Sequence, residues 1–282
     1  MTPVGEIAAL SPAVFEQIRR HLEGEVGLSF ADNKQTLFRS RLARRLRELG
    51  LDTFEAYADY LTAAGGNSAE LSICVDLVTT NLTSFFREAH HFDELRATFL
   101  PALLGASGHD RCVRLWSAAC STGQEPYSLA MVVRDALAGH PGWSAELLAS
   151  DINTGVLGVA KRAVYTAGEV KQVPESLLRR HFQRGTGENA GRFRVRSETA
   201  RLVRLQQINL LRPLPSFAAP FDVVFCRNCL IYFAPAEQER VVHVLAKTLR
   251  PGGLLFLGHS ESAPPDCPEL ERLPRTVYRK RR

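Results

Sequence analysis

The chain has 282 residues, 45% hydrophobic and 23% charged, with a formal net charge of +5. This is the make-up of a soluble globular protein with room for one large domain and a smaller one. No apolar run approaches the roughly 20 residues of a bilayer span. The start MTPVGEIAAL lacks the basic segment and long apolar core of a secretion signal, so the expectation is a cytoplasmic protein without membrane insertion.

The first 80 residues predict a helical domain. SPAVFEQIRRHLEG opens on a Ser cap and closes at Gly24, and DNKQTLFRSRLARRLRELG runs from an acidic cap to Gly50. In the second helix Phe38, Leu42, Leu46 and Leu49 share one face. Lys34, Arg41, Arg44 and Arg45 project from the other, within a stretch of six basic residues and no acid between Asp32 and Glu48. TFEAYADYLTAAGG makes a third helix ending in a Gly-rich turn, and a fourth covers about 69–80. The tail RKRR at 279–282 accounts for more of the positive excess.

From Arg111 onward the pattern alternates. Strands are predicted at Val113–Ala118, Glu146–Ser150, Leu202–Ile208, Asp222–Cys226, Leu254–Gly258 and Thr276–Tyr278, with helices after Gly123, Asn153 and Pro235. FDVVFCRNCLIYF at 221–233, a helix, a Pro-Gly-Gly turn and then an apolar run ending at Glu261 are the grammar of an open parallel α/β sheet. Six such strands match a Rossmann-like methyltransferase sheet over residues 81–282. From Asp151 to Leu202 is about 50 residues, far more than a helix crossover needs. RGTG at 184–187 and the alternating GRFRVR at 191–196 predict an inserted antiparallel β subdomain over about 166–200, projecting from the main fold.

Ligands of such sheets bind beyond the carboxyl ends of the strands. The first strand runs into SAACSTGQEPYS, whose single glycine, Gly123, lacks the G-x-G-x-x-G that lets backbone approach a pyrophosphate. A phosphate-free cofactor fits better. Asp151 ends the next strand, where a carboxylate grips ribose hydroxyls, and Asn209 ends the third, where it could meet an adenine edge. Together they describe S-adenosylmethionine. Of the six cysteines, Cys226 and Cys229 form a CxxC, but no second CxxC or His pair completes a zinc site. His90 and His91, as helix neighbours diverging by about 100°, are expected not to share an ion. No metal is expected.

NLTSFFREAHHF (81–92), WSAACSTGQEPYSLA (116–130), ASDINTGVLGVAKRAVY (149–165), FCRNCLIYF (225–233) and LFLGHSES (255–262) closely resemble the chemotaxis receptor methyltransferases, the CheR family. The resemblance extends from the N-terminal helices to about residue 278. It implies methyl transfer from S-adenosylmethionine to glutamate side chains on chemoreceptor cytoplasmic helices, with S-adenosylhomocysteine as product. It further implies that Asn81, Thr83, Arg87, Glu125, Asp151, Asn209, Leu210, Arg227 and Asn228 line the cofactor site. Arg87 and Tyr232 would face the transferring methyl and the incoming carboxylate. Gln124 stands where an acid is common in the family and Cys229 where an aliphatic is common, while Glu125 is retained.

The resemblance also gives the basic helix a role in docking acidic receptor helices, with recruitment to membrane receptor arrays. The insert would accept a short C-terminal receptor peptide along a sheet edge, using Arg184, Gly185, Gly187 and Arg192. A nucleic-acid methyltransferase using the basic face is the alternative. It would want an Asn-Pro-Pro-Tyr loop or a cysteine nucleophile, and CRNC at 226–229 is neither in context, so no nucleic acid is expected.

Overall fold

The computed structural model describes residues 9–30, 32–63, 68–79, 81–106 and 110–281. They divide into two units: the residues up to Thr79 together with Tyr232–Ala234, and all the others.

In the first unit, α1 (Pro12–Val26) starts where the Ser11 side chain accepts from Val14 N at 3.3 Å, with Pro12 on the first turn. The helix does not close at Gly24 but continues to Gly27, whose φ of 78° makes the left-handed stop. A 3-10 turn at Asp32–Lys34 leads into α2 (Gln35–Leu49), which ends at Gly50 with φ 69°. Phe38, Leu42 and Leu46 are buried as expected, and the Phe38 ring meets Phe15 and Phe30 edge-on at 5.1 Å each. Then come α3 (Phe54–Thr62), capped by Thr53, and α4 (Ser68–Val78). The glycine turn expected at 65–66 and the terminal Arg282 lie outside the described residues.

The polar side of α2 holds this unit together. Arg41 Nη1 donates to the carbonyls of Leu77 at 2.9 Å and Thr79 at 2.6 Å, closing the end of α4. Arg45 grips the buried Glu70 with two nitrogens, Nη2 to Oε2 at 2.6 Å and Nε to Oε1 at 3.0 Å, and the Tyr57 hydroxyl donates to the same carboxylate at 2.9 Å. Glu70 is only 2% exposed, so its charge depends on that fork. Arg44 stays exposed, paired along the helix with Glu48, and Lys34 is half-buried.

The second unit begins with α5 (Ala89–Glu94), which continues through a π-turn at Leu95–Phe99 into α6 (Leu100–Leu104). The strands and helices that follow are β1 (Cys112–Ser117), α7 (Gln124–Leu137), β2 (Ser144–Asp151), α8 (Thr154–Arg162), β3 (Val164–Thr166), α9 (Glu175–His181), β4 (Phe182–Arg184), β5 (Arg192–Val195), α10 (Ser197–Ala200), β6 (Val203–Gln207), β7 (Phe221–Cys226), α11 (Pro235–Thr248), β8 (Leu249–Leu257), β9 (Leu270–Arg272) and β10 (Val277–Lys280). Seven form one sheet in the order β6-β2-β1-β7-β8-β10-β9. The first five are parallel, and β10 pairs antiparallel with both β8 and β9. All six predicted strands are present; β9, a three-residue edge strand, is additional.

The Pro-Gly-Gly segment is not a turn ahead of the last parallel strand. It lies within β8, where Phe221 pairs with Leu249 but Val223 pairs with Leu254, a bulge in register. A Cβ on Gly253 would stand 2.9 Å from the Asp222 carbonyl oxygen and 3.1 Å from that of Phe221, so the neighbouring strand approaches only because no side chain is there. The core between sheet and helices contains Leu115, Val223, Phe225, Phe256, Leu129 and Val133, with Phe225 and Phe256 stacked at 4.4 Å.

The insert is a second, antiparallel sheet in the order β3-β5-β4. It does not stand off the main fold. Tyr165, Phe182 and Val195 turn inward and pack on Tyr127, Met131 and Phe85, the Phe85 ring meeting Tyr165 at 4.9 Å and Phe182 at 5.5 Å. Alternation put apolar residues on one face, and that face had to be covered.

Arg45→Met should destabilise the helical unit by about 3 kcal/mol, because it strands the buried Glu70 charge. Arg44→Met should leave the denaturation midpoint close to wild type. Equal midpoints for the two variants in chemical denaturation would remove Arg45–Glu70 as the strut of this bundle.

Candidate functional site

From β1 the chain winds one way to β2 and β6, then returns past β1 to build β7 and β8 on its other side. Neighbouring strands whose connections leave in opposite directions open a crevice at their carboxyl ends, and here those strands are β1 and β7. The loops at that end carry most of the residues expected to bind the cofactor.

Asp151 ends β2, and its Oδ2 accepts from Ser121 N at 2.8 Å while Oδ1 accepts from Asn153 N at 3.0 Å. Two backbone donors thus aim the carboxylate and hold the β1–α7 loop against it. Ser121, at φ 48°, donates from its hydroxyl to the Asn81 carbonyl at 3.0 Å, which ties the segment at 81–88 to the same loop. Gly123 has φ 98°, and a Cβ there would meet the Tyr165 hydroxyl at 2.7 Å and Ala160 at 2.9 Å. Only glycine permits this entry into α7. Asn209 folds on itself, its Oδ1 accepting from Leu211 N at 2.9 Å, and Leu210 beside it is buried.

Across the crevice, Arg227 is almost wholly buried. Its Nε donates to Glu125 Oε2 at 2.9 Å and its Nη1 to the Arg87 carbonyl at 2.7 Å. The guanidinium carbon lies 5.4 Å from the Phe92 ring centre and 5.2 Å from that of Phe225. The other Glu125 oxygen accepts from Ser117 Oγ at 2.7 Å. Glu88 Oε2 stands 3.5 Å from Arg227 Nη1, so two carboxylates flank one buried guanidinium. Phe86 and Glu88 take left-handed φ values of 54° and 55° on either side of Arg87. That turn, strained by about 1 kcal/mol per residue, delivers the Arg87 carbonyl to Arg227. The Arg87 side chain is half-buried and donates to the Leu82 carbonyl at 2.9 Å. Thr83 is half-buried within the same segment.

Asn228 also adopts a left-handed conformation, φ 57°. Glu261 holds it there. Its carboxylate accepts from Asn228 N at 2.8 Å, Leu230 N at 2.8 Å and Gly258 N at 2.7 Å. Burial pushes the Glu261 carboxyl upward, opposed by those backbone donors. The Asn228 amide donates to Glu88 Oε1 at 3.2 Å. Burial raises Glu88, but the hydrogen bond with His259 and the charge of Arg227 together hold it below its ordinary value.

His91 is fully buried in this network. Its Nε2 lies 2.7 Å from the Arg275 carbonyl, which can only accept, so Nε2 carries the hydrogen and the bare Nδ1 faces Arg227 Nη1 at 3.2 Å. Burial and the nearby guanidinium depress its pKa to about 4, against the hydrogen bond to Arg275 and the Glu88 charge. Contrary to the expected divergence of adjacent histidines, the His90 and His91 rings are 4.2 Å apart, and ligand atoms of Glu88, His90 and His91 lie within 4.8 Å of one another. The guanidinium of Arg227 already supplies the cation at that cluster, which disfavours a metal ion there.

The remaining residues named from sequence belong to other parts of the chain. Tyr232 belongs to the helical unit, where its carbonyl accepts from Ser29 N at 3.0 Å, as do Lys34, Arg41, Arg44 and Arg45. Arg184 and Arg192 are exposed on β4 and β5, with Arg184 over the Phe193 ring at 5.9 Å. A Cβ on Gly185 would fall 2.1 Å from the Asn189 carbonyl oxygen, and Gly187 has φ 56°, so both glycines are required by the β4–β5 turn. Cys226 and Cys229 are free thiols 3.3 Å apart.

Sequence reasoning passed over Glu88 and Ser121, whose partners lie far along the chain, and Ser117, which bonds Glu125; it weighed His91 for metal binding without finding its part in this network. Glu261, after the last parallel strand, read from sequence equally as part of a lid or as a strand terminator. Its three bonds to backbone donors are a tertiary property.

The strand order and the antiparallel β10–β9 pair are those of a Rossmann-like methyltransferase sheet. Residues 81–278 match the family described as CheR methyltransferase, SAM binding domain, and residues 13–79 match CheR methyltransferase, all-alpha domain. The chain belongs to the CheR methyltransferase family. It is 43% identical to the chemotaxis protein methyltransferase of Salmonella typhimurium over 271 residues, spanning 96% of this chain and 91% of that protein. Chemotaxis protein methyltransferase 2 of Pseudomonas aeruginosa is 43% identical over 94% of this chain and 91% of its own length. The chemotaxis protein methyltransferase of Escherichia coli is 42% identical over 91% and 87%. These matches lend no support to nucleic-acid methylation. Among the described residues no helix is long and apolar enough to cross a membrane.

Because the folded pKa of His91 is depressed to about 4 from 6.5, the unfolded chain binds more protons between those values. The His91 contribution to stability is therefore complete above pH 6.5 and is lost as pH falls toward 4. Ring titration by NMR should find the low value, and His91→Gln should flatten stability against pH across that window. An ordinary histidine titration in the folded protein would contradict the neutral, Nε2-protonated assignment.

Proposed function

We propose that the protein transfers the methyl group of S-adenosylmethionine to glutamate side chains on chemoreceptor cytoplasmic helices, forming methyl esters. The supporting observation is the buried Arg227–Glu125 pair at the β1–β7 crevice, which organises the segment carrying Arg87 within a chain of this family. When bound, the cofactor supplies an electrophilic sulfonium methyl. Asp151 grips the ribose hydroxyls, and Asn209 and Leu210 border the adenine. Asn81, Thr83, Arg87, Glu125, Arg227 and Asn228 shape the methionine end.

A glutamate with an ordinary pKa near 4.3 is already an anion at neutral pH, so no residue has to remove a proton. The task of the chain is to bring the carboxylate in line and replace its water with fixed dipoles. Arg87 offers a planar fork of donors for a carboxylate, and Tyr232 one hydroxyl.

The exposed Arg44 and half-buried Lys34 are the members of the basic set best suited to steer acidic receptor helices, alongside Arg41 and Arg45. Arg184 and Arg192, with Gly185 and Gly187 shaping the turn between them, suit an extended acidic or C-terminal receptor peptide added to the insert edge. Such a tether would concentrate the enzyme at receptor arrays.

Radiolabelled methyl should pass to receptor-rich membranes and be released by base as volatile methanol, as esters are. Label that resists base would overturn glutamate as the target. Asp151→Ala should weaken cofactor binding by calorimetry at least tenfold, in line with about 1.5–3 kcal/mol per charge-assisted bond. Unchanged affinity in the folded variant would take Asp151 out of the site. Arg87→Ala and Tyr232→Phe should lower the transfer rate at least tenfold while leaving the melting temperature near wild type, and full activity in either would cancel its role.

A further inference from the structure

Outside the crevice, three potential metal ligands converge where α11 passes the chain leading into β9. His243 Nδ1 lies 3.3 Å from Glu269 Oε2 and 3.7 Å from Cys267 Sγ, and Cys267 Sγ lies 3.4 Å from the same Glu269 oxygen. We propose that His243, Cys267 and Glu269 form a zinc site that clamps α11 to the edge strand β9.

The distances carry the inference. Zinc bonds of about 2.3 Å to sulfur, 2.0–2.1 Å to imidazole and 2.0–2.2 Å to carboxylate, at tetrahedral angles, separate the ligand atoms by about 3.6 Å (S to N), 3.4 Å (N to O) and 3.6 Å (S to O). The observed triangle of 3.7, 3.3 and 3.4 Å agrees with these separations to within about 0.2 Å. The donors are one soft sulfur, one imidazole and one carboxylate, a set that selects zinc over magnesium or calcium.

The backbone explains how the triangle forms. Cys267 N donates to the Pro264 carbonyl and Leu270 N to the Cys267 carbonyl, both at 3.2 Å, so a turn presents Cys267 and Glu269 together before β9 begins. The turn faces the histidine of α11. Cys267 is buried, while the His243 and Glu269 side chains are 33% and 26% exposed, leaving a fourth position that solvent can reach. Binding requires the thiolate, so the Cys267 proton leaves to solvent as the metal enters. The clamp has a structural purpose. β9 is a three-residue edge strand joined to the sheet only through β10, and a metal would fasten its entry to a 14-residue helix.

The test uses the untagged full chain, stripped with a chelator and titrated with cobalt(II) as a spectroscopic substitute. One equivalent should produce a thiolate-to-metal charge-transfer band, bleached by one equivalent of zinc, and zinc should raise the melting temperature by several degrees. Cys267→Ser should abolish the band, and His243→Ala and Glu269→Gln should each weaken cobalt binding at least tenfold. The Cys226→Ser, Cys229→Ser double variant should keep it. No band in the wild type would show that the three side chains are only hydrogen-bonded to one another, and a band that survives Cys267→Ser would place the metal elsewhere. Either result overturns the proposal.

Discussion

The guanidinium of Arg227, buried between Glu125 and Glu88, is the constraint on which the second unit is arranged. A lone charge in that position would be costly to desolvate, and its partners are therefore not optional. Glu125 comes from the first turn of α7, Glu88 and the Arg87 carbonyl from the segment before α5, and the flanking rings from Phe92 and Phe225. One side chain thus ties two distant stretches, 87–92 and the start of α7, to its own strand end. His91 completes the balance by staying neutral, since a second positive charge at 3.2 Å would oppose the first.

Around that centre, carboxylates shape loops through backbone N–H groups. Asp151 fixes the loop after β1, and Glu261 fixes the loop after β7 in a left-handed conformation at Asn228. A site assembled this way has its polar groups oriented before any ligand arrives. Reactions that need alignment more than proton transfer benefit most from such preorganisation. The same logic accounts for the strain at Phe86 and Glu88. Those conformations persist because the surrounding bonds over-determine them.

The basic helix shows how a surface reading changes with tertiary context. Six cationic residues without an acid look like one open docking face. In the folded bundle Arg41 closes the end of α4 and Arg45 neutralises Glu70, a partner 25 positions along the chain. Long side chains on a helix reach sideways as well as outward. Of the residues first assigned to docking, Arg44 is the most open to a partner.

Periodicity and strand-ending polar residues were enough to find the open α/β sheet with its six main strands and the inserted antiparallel unit, and they pointed to a phosphate-free cofactor near Asp151 and Arg227. These depend on local pattern: apolar runs, caps, turn glycines and the absence of a glycine-rich phosphate loop. What stayed hidden depends on which distant groups meet. At the Pro-Gly-Gly bulge inside β8 the neighbouring strand is so close that a Cβ on Gly253 would stand 2.9 Å from the Asp222 carbonyl oxygen. The inward docking of the insert, the support from Glu261, the neutral state of His91 and the His243, Cys267, Glu269 triangle all join residues separated in sequence. Side-chain spacing along the chain reports a helix face or a strand face. Which faces then close on one another, and which charges are left to balance in the space between them, is decided only by the packed fold.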